Sequence, residues 1–379
     1  MTEQEASRVI RLTRPFAKFP AYSHTDDFLD LEAEIGKGFM FVSLYDERIN
    51  STLTEVEGGI LLIGNTYLSS FAYNLILAWQ FEMSRGSIDH QTFNPLIRYN
   101  LKKFFAEQLL HKYNNTFSRA IFLETLLYEQ HRMIPVIHAA NEDPKWKIVA
   151  DKLAGIMGNF LVNHELGHYY RRFKPEIYED VIRLNASALQ PFTDYIAANF
   201  NEWFREEIIC DLLAVFSSLS LCGEDRAAMT YTLRAAVLGY HVFGVLWSLE
   251  KSAEITANAQ RLEPDRIVFR TIEKASQEYS YDIRADEVMI QRSVMVTYLC
   301  EQIAADRGLQ LYGTDGELPL PEKSLDYFLS YLDQIMLQEN ANDRSMSRLV
   351  AESLHDHPEG LEYLYLHSKV FRSERNISL

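Results

Sequence analysis

The chain has 379 residues, of which 47% are hydrophobic and 12% aromatic, with 16 glycines and 11 prolines. That balance supplies a sizeable core and excludes collagenous, low-complexity and disordered classes. Lys and Arg number 37 against 53 Asp and Glu, a net charge of −16 that repels phosphate backbones and anionic lipid, so neither nucleic acid nor a membrane is an expected partner.

The N-terminal run MTEQEASRVIRLTRPF lacks the apolar stretch of a secretory signal, and the cytoplasm is the expected location. From Phe39 the pattern predicts strands: FMFVSLYD, then STLTEV after the turn-prone Glu47-Arg48-Ile49-Asn50, then GGILLIG from Gly58. From Thr66 the apolar residues Leu68, Ala72, Leu75 and Trp79 fall at helical spacing, and helices are expected through most of the remaining chain. Breaks lie near Pro95, at Asn141-Glu142-Asp143-Pro144, around Leu262 to Pro264, and at YGTDGELPLP from Tyr312. The most apolar long stretch, Ala235 to Leu249, is about 15 residues and holds His241, too short for a span and suited to a buried core helix. Cys210, Cys222 and Cys300 are too sparse for a disulfide framework and read as buried free thiols. The expected class is α+β, predominantly helical with a small N-terminal sheet: a core over residues 1–275 and a helical C-terminal region over 276–379 packed on it.

The chemistry concentrates in NFLVNHELGHYYRRF, which holds His164, Glu165 and His168 in the order HExxH. Residues four apart share a helix face, so both imidazoles can bind one Zn²⁺ while Glu165 stands beside it as the base. No proline interrupts the segment between Lys145 and Lys174. The positions three and six after His168 are Arg171 and Lys174, so the Gly and His of the metzincin extension are missing and a third ligand must come from elsewhere. The helical stretch NEWFREEIICDLLAVFSSL offers Glu206 and Glu207. Glu207 shares its face with Asp211, four residues on, whereas Glu206 shares its own with Cys210, and this favours Glu207 as ligand with Asp211 as a supporting carboxylate behind the metal's ligands. The plain alternative is a solvated acidic face near a helix N-terminus.

HELGHYY followed by EEIICDLLA resembles the glutamate-type zincins (gluzincins), HExxH followed by ExxxDxxA, and more loosely the bacterial cytoplasmic ImmA/IrrE-type and Lit phage-exclusion proteases. The resemblance implies a zincin-like core, His164, His168 and Glu207 as zinc ligands, Glu165 as catalytic base and Asp211 as brace. Upstream, Asn50-Ser51 followed by Gly58-Gly59 and ILLIG is similar to the edge strand on which these enzymes seat a substrate peptide, with serine in place of the usual alanine. The long interval from there to His164 implies inserted helices.

The function expected is a zinc metallopeptidase cutting one protein, in regulation or phage defence, by zinc-activated water; an endopeptidase is expected because no GxMEN-like segment is present. A zincin-fold interaction protein without catalysis is the alternative. Candidate oxyanion stabilisers are Tyr240, His241, Arg266 and Arg270. The pairs His131/His138 and His355/His357 lack a third ligand, and no P-loop, dinucleotide fingerprint or Gly-x-Ser-x-Gly elbow occurs.

Overall fold

A computed structural model describes residues 2–13, 18–23, 38–45, 51–57, 59–84, 95–113, 118–119, 121–122, 125, 144–199, 201–262 and 284–312. Among them the chain is predominantly helical, with one small sheet. Helix α1 (Glu3–Thr13) opens with a capping box, in which the Glu5 N–H donates to Thr2 Oγ1 at 3.3 Å and the Thr2 N–H to Glu5 Oε2 at 2.7 Å. The strands are β1 (Lys18–Ser23), β2 (Gly38–Tyr45), β3 (Thr52–Val56) and β4 (Gly59–Asn65), in the order β1-β2-β4-β3. β2 and β4 run parallel, with Phe41 beside Leu62, while β1 and β3 flank them antiparallel.

Alternation along β2 and β4 sorts their side chains to two faces. Phe39, Ile60 and Leu62 meet Tyr169 and the half-buried Val162, Leu166, Tyr170 and Phe173. On the opposite face Met40, Val42, Leu44, Leu61 and Ile63 meet Ala6 and Ile10 of α1. Both faces are covered, which is why β4 reads as a continuous apolar run and is buried throughout. From Gly59 onward this segment is therefore an interior strand, and the edges are β1 and β3, the residues of β3 being half-buried or exposed. Asn50 and Gly58 lie outside the described residues. Where β2 and β4 begin, Gly59 has φ 145°, and a Cβ there would stand 1.9 Å from the Gly38 carbonyl oxygen, so only glycine fits.

The helices after the sheet are α2 (Thr66–Ser84), α3 (Pro95–Tyr113), α4 (Pro144–Phe173), α5 (Pro175–Leu184), α6 (Ala186–Asn199), α7 (Glu202–Ser220), α8 (Arg226–Leu262) and α9 (Arg284–Asp306). They form, with the sheet, two compact units that interleave along the chain. The first takes in Met1–Tyr73, Asp151–His241 and Val288–Leu320, and the second Asn74–Ala150, Val242–Glu287 and Pro321–Leu379. Met295, Val296, Leu299, Cys300 and Ile303 of α9 belong to the first unit's core, beside Ile208, Leu212, Val215, Leu233 and Val237. The second unit buries Leu75, Leu101, Phe104, Leu109 and Leu249. Arg226–Asn258 of α8 is long and apolar enough to cross a membrane, but 76% of its most apolar window is buried inside the protein, as for a core helix.

Candidate metal centre

Two helices of the first unit build the site. α4 begins at Pro144, where a missing N–H costs nothing, and ends at Phe173, two residues before Pro175, so its proline-free interior carries HELGH on continuous helix. α7 begins where the Asn201 side chain caps the Phe204 N–H at 3.0 Å. Gly167 lets the two approach: a Cβ there would lie 3.1 Å from Cys210 Sγ and 3.3 Å from its Cα. A bond from Asn163 Nδ2 to Ser218 Oγ, 3.0 Å, ties the same pair of helices further along. The acidic residues of α7 are thereby set against the histidines of α4.

Nε2 of His164 and Nε2 of His168 are 3.1 Å apart. Glu207 closes the triangle, with Oε2 at 3.5 Å from the first and Oε1 at 3.3 Å from the second. The outer nitrogens face carboxylates too. Nδ1 of His164 lies 2.6 Å from Oδ1 of the fully buried Asp211, with its N–H directed off the line to that oxygen. Nδ1 of His168 is 3.0 Å from Oε1 of Glu206. Carboxylates accept and do not donate, so each Nδ1 carries the hydrogen and each neutral ring turns a lone pair inward. His164, His168 and Glu207 therefore bring lone-pair atoms to one point, and the cluster could hold a metal ion.

Metal-free, a proton can take the cation's place. Burial opposes charge on His164, but Asp211 and Glu207 outweigh it and push its pKa up to about 9. His168 moves the same way for the same reason: burial resists, and its contacts with Glu207 and Glu206 prevail. Burial would raise Glu207 and Asp211, yet hydrogen bonding to the histidines and the charge of Arg292 hold both below the usual carboxylate range. Glu165 differs: burial dominates and its pKa is raised. A carboxylate whose proton affinity rises inside a site of lowered ones is suited to shuttling a proton.

Arg292 was not legible as a site residue. It reaches from α9, donating Nε–H to Asp211 Oδ2 at 2.6 Å and Nη2–H to Oδ1 at 2.8 Å, with Nη1 3.3 Å from Glu207 Oε2. Tyr240 is buried edge-on against Phe160, with ring centroids 5.3 Å apart, and its pKa is raised by burial and then by Asp211. His241 Nε2 is 3.3 Å from Thr297 Oγ1 between α8 and α9. Arg266, Arg270, His131, His138, His355 and His357 lie outside the described residues. Another flank of α4 lines a cavity of about 640 Å³ with Asn163, Tyr170, Tyr178, Phe216 and Arg307. Comparison with protein-family models, curated proteins and solved structures finds no match to the chain.

Proposed function

We propose that the chain is a zinc-dependent metallopeptidase whose ligands are His164, His168 and Glu207 and whose base is Glu165. The observation that carries the reading is the convergence of two Nε2 atoms and one carboxylate at 3.1, 3.3 and 3.5 Å, with the outer nitrogens occupied by carboxylates. A tetrahedral ion with Zn–N and Zn–O bonds of about 2.0–2.1 Å separates its ligand atoms by roughly 3.3 Å; the two Nε2 atoms are 3.1 Å apart, and each faces its own oxygen of Glu207, at 3.5 Å from His164 and 3.3 Å from His168. Two imidazoles with one carboxylate also favour zinc over calcium or magnesium, which take oxygen ligands. Three protein ligands leave a position for substrate.

Bound Zn²⁺ supplies Lewis acidity, making a water acidic near neutral pH and polarising a carbonyl. The chain does the rest. Asp211 would fix the tautomer of the His164 imidazole, so that Nε2 and not Nδ1 ligates. The Glu165 carboxylate, raised in pKa by burial, takes the proton released as the peptide carbonyl is attacked and returns it to the leaving amine. Among the described residues no strand pairs with the outer edge of β3, and an extended peptide could add there as a further strand of the sheet whose face packs on α4. A cytoplasmic protein substrate and a regulatory or defensive cut belong to the same proposal, supported by the likeness of the motifs alone.

The test is elemental mass spectrometry beside peptide hydrolysis. Wild type and Glu165→Gln are expected to hold about one zinc per chain and His164→Ala and Glu207→Ala to lose it, with Glu165→Gln reducing hydrolysis by at least about 100-fold. Equal metal content in all four chains would overturn the reading, and zinc without hydrolysis of any peptide would leave the interaction protein standing.

A further inference from the structure

We propose that Glu206 and Arg171 are positioning residues for the second imidazole, with Arg171 holding the Glu206 carboxylate against Nδ1 of His168 so that Nε2 is presented to the metal. The inference rests on the metal-centre reading above, and it concerns two residues that the HExxH and ExxxD pattern does not contain.

Three observations carry it. Glu206 Oε1 is 3.0 Å from His168 Nδ1, while its other oxygen is gripped by Arg171 Nη1. Arg171 stands three residues after His168 on α4, one turn along the same face, and its Nη2 is 3.6 Å from Glu202, which holds the guanidinium from α7. Adjacent helix positions diverge by about 100°, so Glu206 and Glu207 cannot aim at one point. They straddle the ring of His168 instead, Glu207 reaching Nε2 at 3.3 Å and Glu206 reaching Nδ1.

The arrangement repeats at the second imidazole what Asp211 and Arg292 do at the first: a carboxylate touches Nδ1 and is fixed by an arginine. The two differ in burial. The Asp211 and Arg292 side chains are 1% and 10% exposed, whereas Glu206 and Arg171 are 27% and 32% exposed. His168, itself 23% exposed, would otherwise be open to water at Nδ1 and free to exchange tautomers, and an ordinary solvated imidazole carries no fixed lone pair. A charged acceptor also makes the ring a stronger donor to a metal than a neutral one would.

The experiment is zinc affinity by chelator competition on the full chain, with the visible spectrum of the Co²⁺-substituted protein as a second readout. Glu206→Ala is expected to weaken zinc roughly 10–100-fold and to shift the Co²⁺ bands. Glu206→Gln, which keeps an oxygen acceptor but no charge, and Arg171→Met are expected to fall between Glu206→Ala and wild type; both conserve volume and carry the test if Glu206→Ala does not fold. Should Glu206→Ala and Arg171→Met bind zinc and colour Co²⁺ as wild type does while Glu207→Ala has lost both, the positioning role is overturned and the metal centre stands. Should wild type bind neither ion, the metal centre falls and the positioning role with it.

Discussion

His164 is buried, with Asp211 on one side of its ring and Glu207 on the other, and this links the site to folding. In the metal-free chain its pKa stands at about 9 against an ordinary 6.5. A raised pKa means that the stabilisation is fully present below 6.5 and is lost as pH rises through about 9. Glu207 and Asp211 have the opposite sign: they are held below their ordinary 4.5 and 3.8, so their contribution is present above those values and is lost as pH falls. A zinc ion bound there would replace the proton and need neutral imidazoles, so it would remove the alkaline loss and weaken in acid. Urea denaturation of chelator-treated protein from about pH 6 to about pH 9.5 should show stability falling by an amount on the order of 3 kcal/mol, with the zinc-loaded protein nearly flat. Parallel profiles with and without zinc would show that His164 is not the linked group.

At the scale of elements, the close approach of α4 to α7 decides whether ligands from two helices meet. Gly167 leaves little room for a side chain: an added Cβ would stand 3.1 to 3.3 Å from three atoms of Cys210, one of them in its backbone, so α7 would have to give by a few tenths of an ångström. Gly167→Ala should push α7 outward, cost about 1–3 kcal/mol on the scale of core overpacking, and weaken zinc binding because Glu207 moves with α7. Cys210→Ala in the same chain removes Sγ but leaves the backbone of residue 210 in the way, and so should recover only part of the loss in denaturation midpoint and zinc affinity. Full wild-type behaviour of Gly167→Ala would mean that the helices are not held at this distance. The same elements show what could be read from sequence. HExxH and the Glu207/Asp211 pair were legible because both pairs obey one helical spacing. β2, β3 and β4 were legible as β-branched runs, but β1 was not, since KFPAYS carries Pro20 and a register irregularity that only an edge strand tolerates. ILLIG bears no sign of being interior rather than edge, because burial on both faces erases alternation. Sequence alone makes Glu206 a rival ligand that lacks a carboxylate four residues on, whereas its partner is His168 on another helix.

Across the whole molecule the decisive contact is long in sequence: Arg292 and Asp211 are 81 residues apart, with no local pattern to connect them. Arg292 joins α9 to Asp211, which touches His164, and to Glu207, and α9 also contributes Met295, Val296, Leu299, Cys300 and Ile303 to the first unit's core. A fragment of residues 1–275, the piece a sequence-based boundary would cut, therefore lacks the arginine on Asp211 and one wall of that core. Asp211 is fully buried, and a buried carboxylate stripped of its arginine is destabilising by about 3–5 kcal/mol before any loss of apolar packing is counted. The fragment should fail to fold cooperatively and should hold no zinc. Full-length Arg292→Met separates the two causes, because it keeps the apolar wall and removes only the charge: it should fold with a lower denaturation midpoint and bind zinc more weakly than wild type. A 1–275 fragment that unfolds cooperatively and binds zinc as the full chain does would mean that α9 is an accessory to the centre and not part of it.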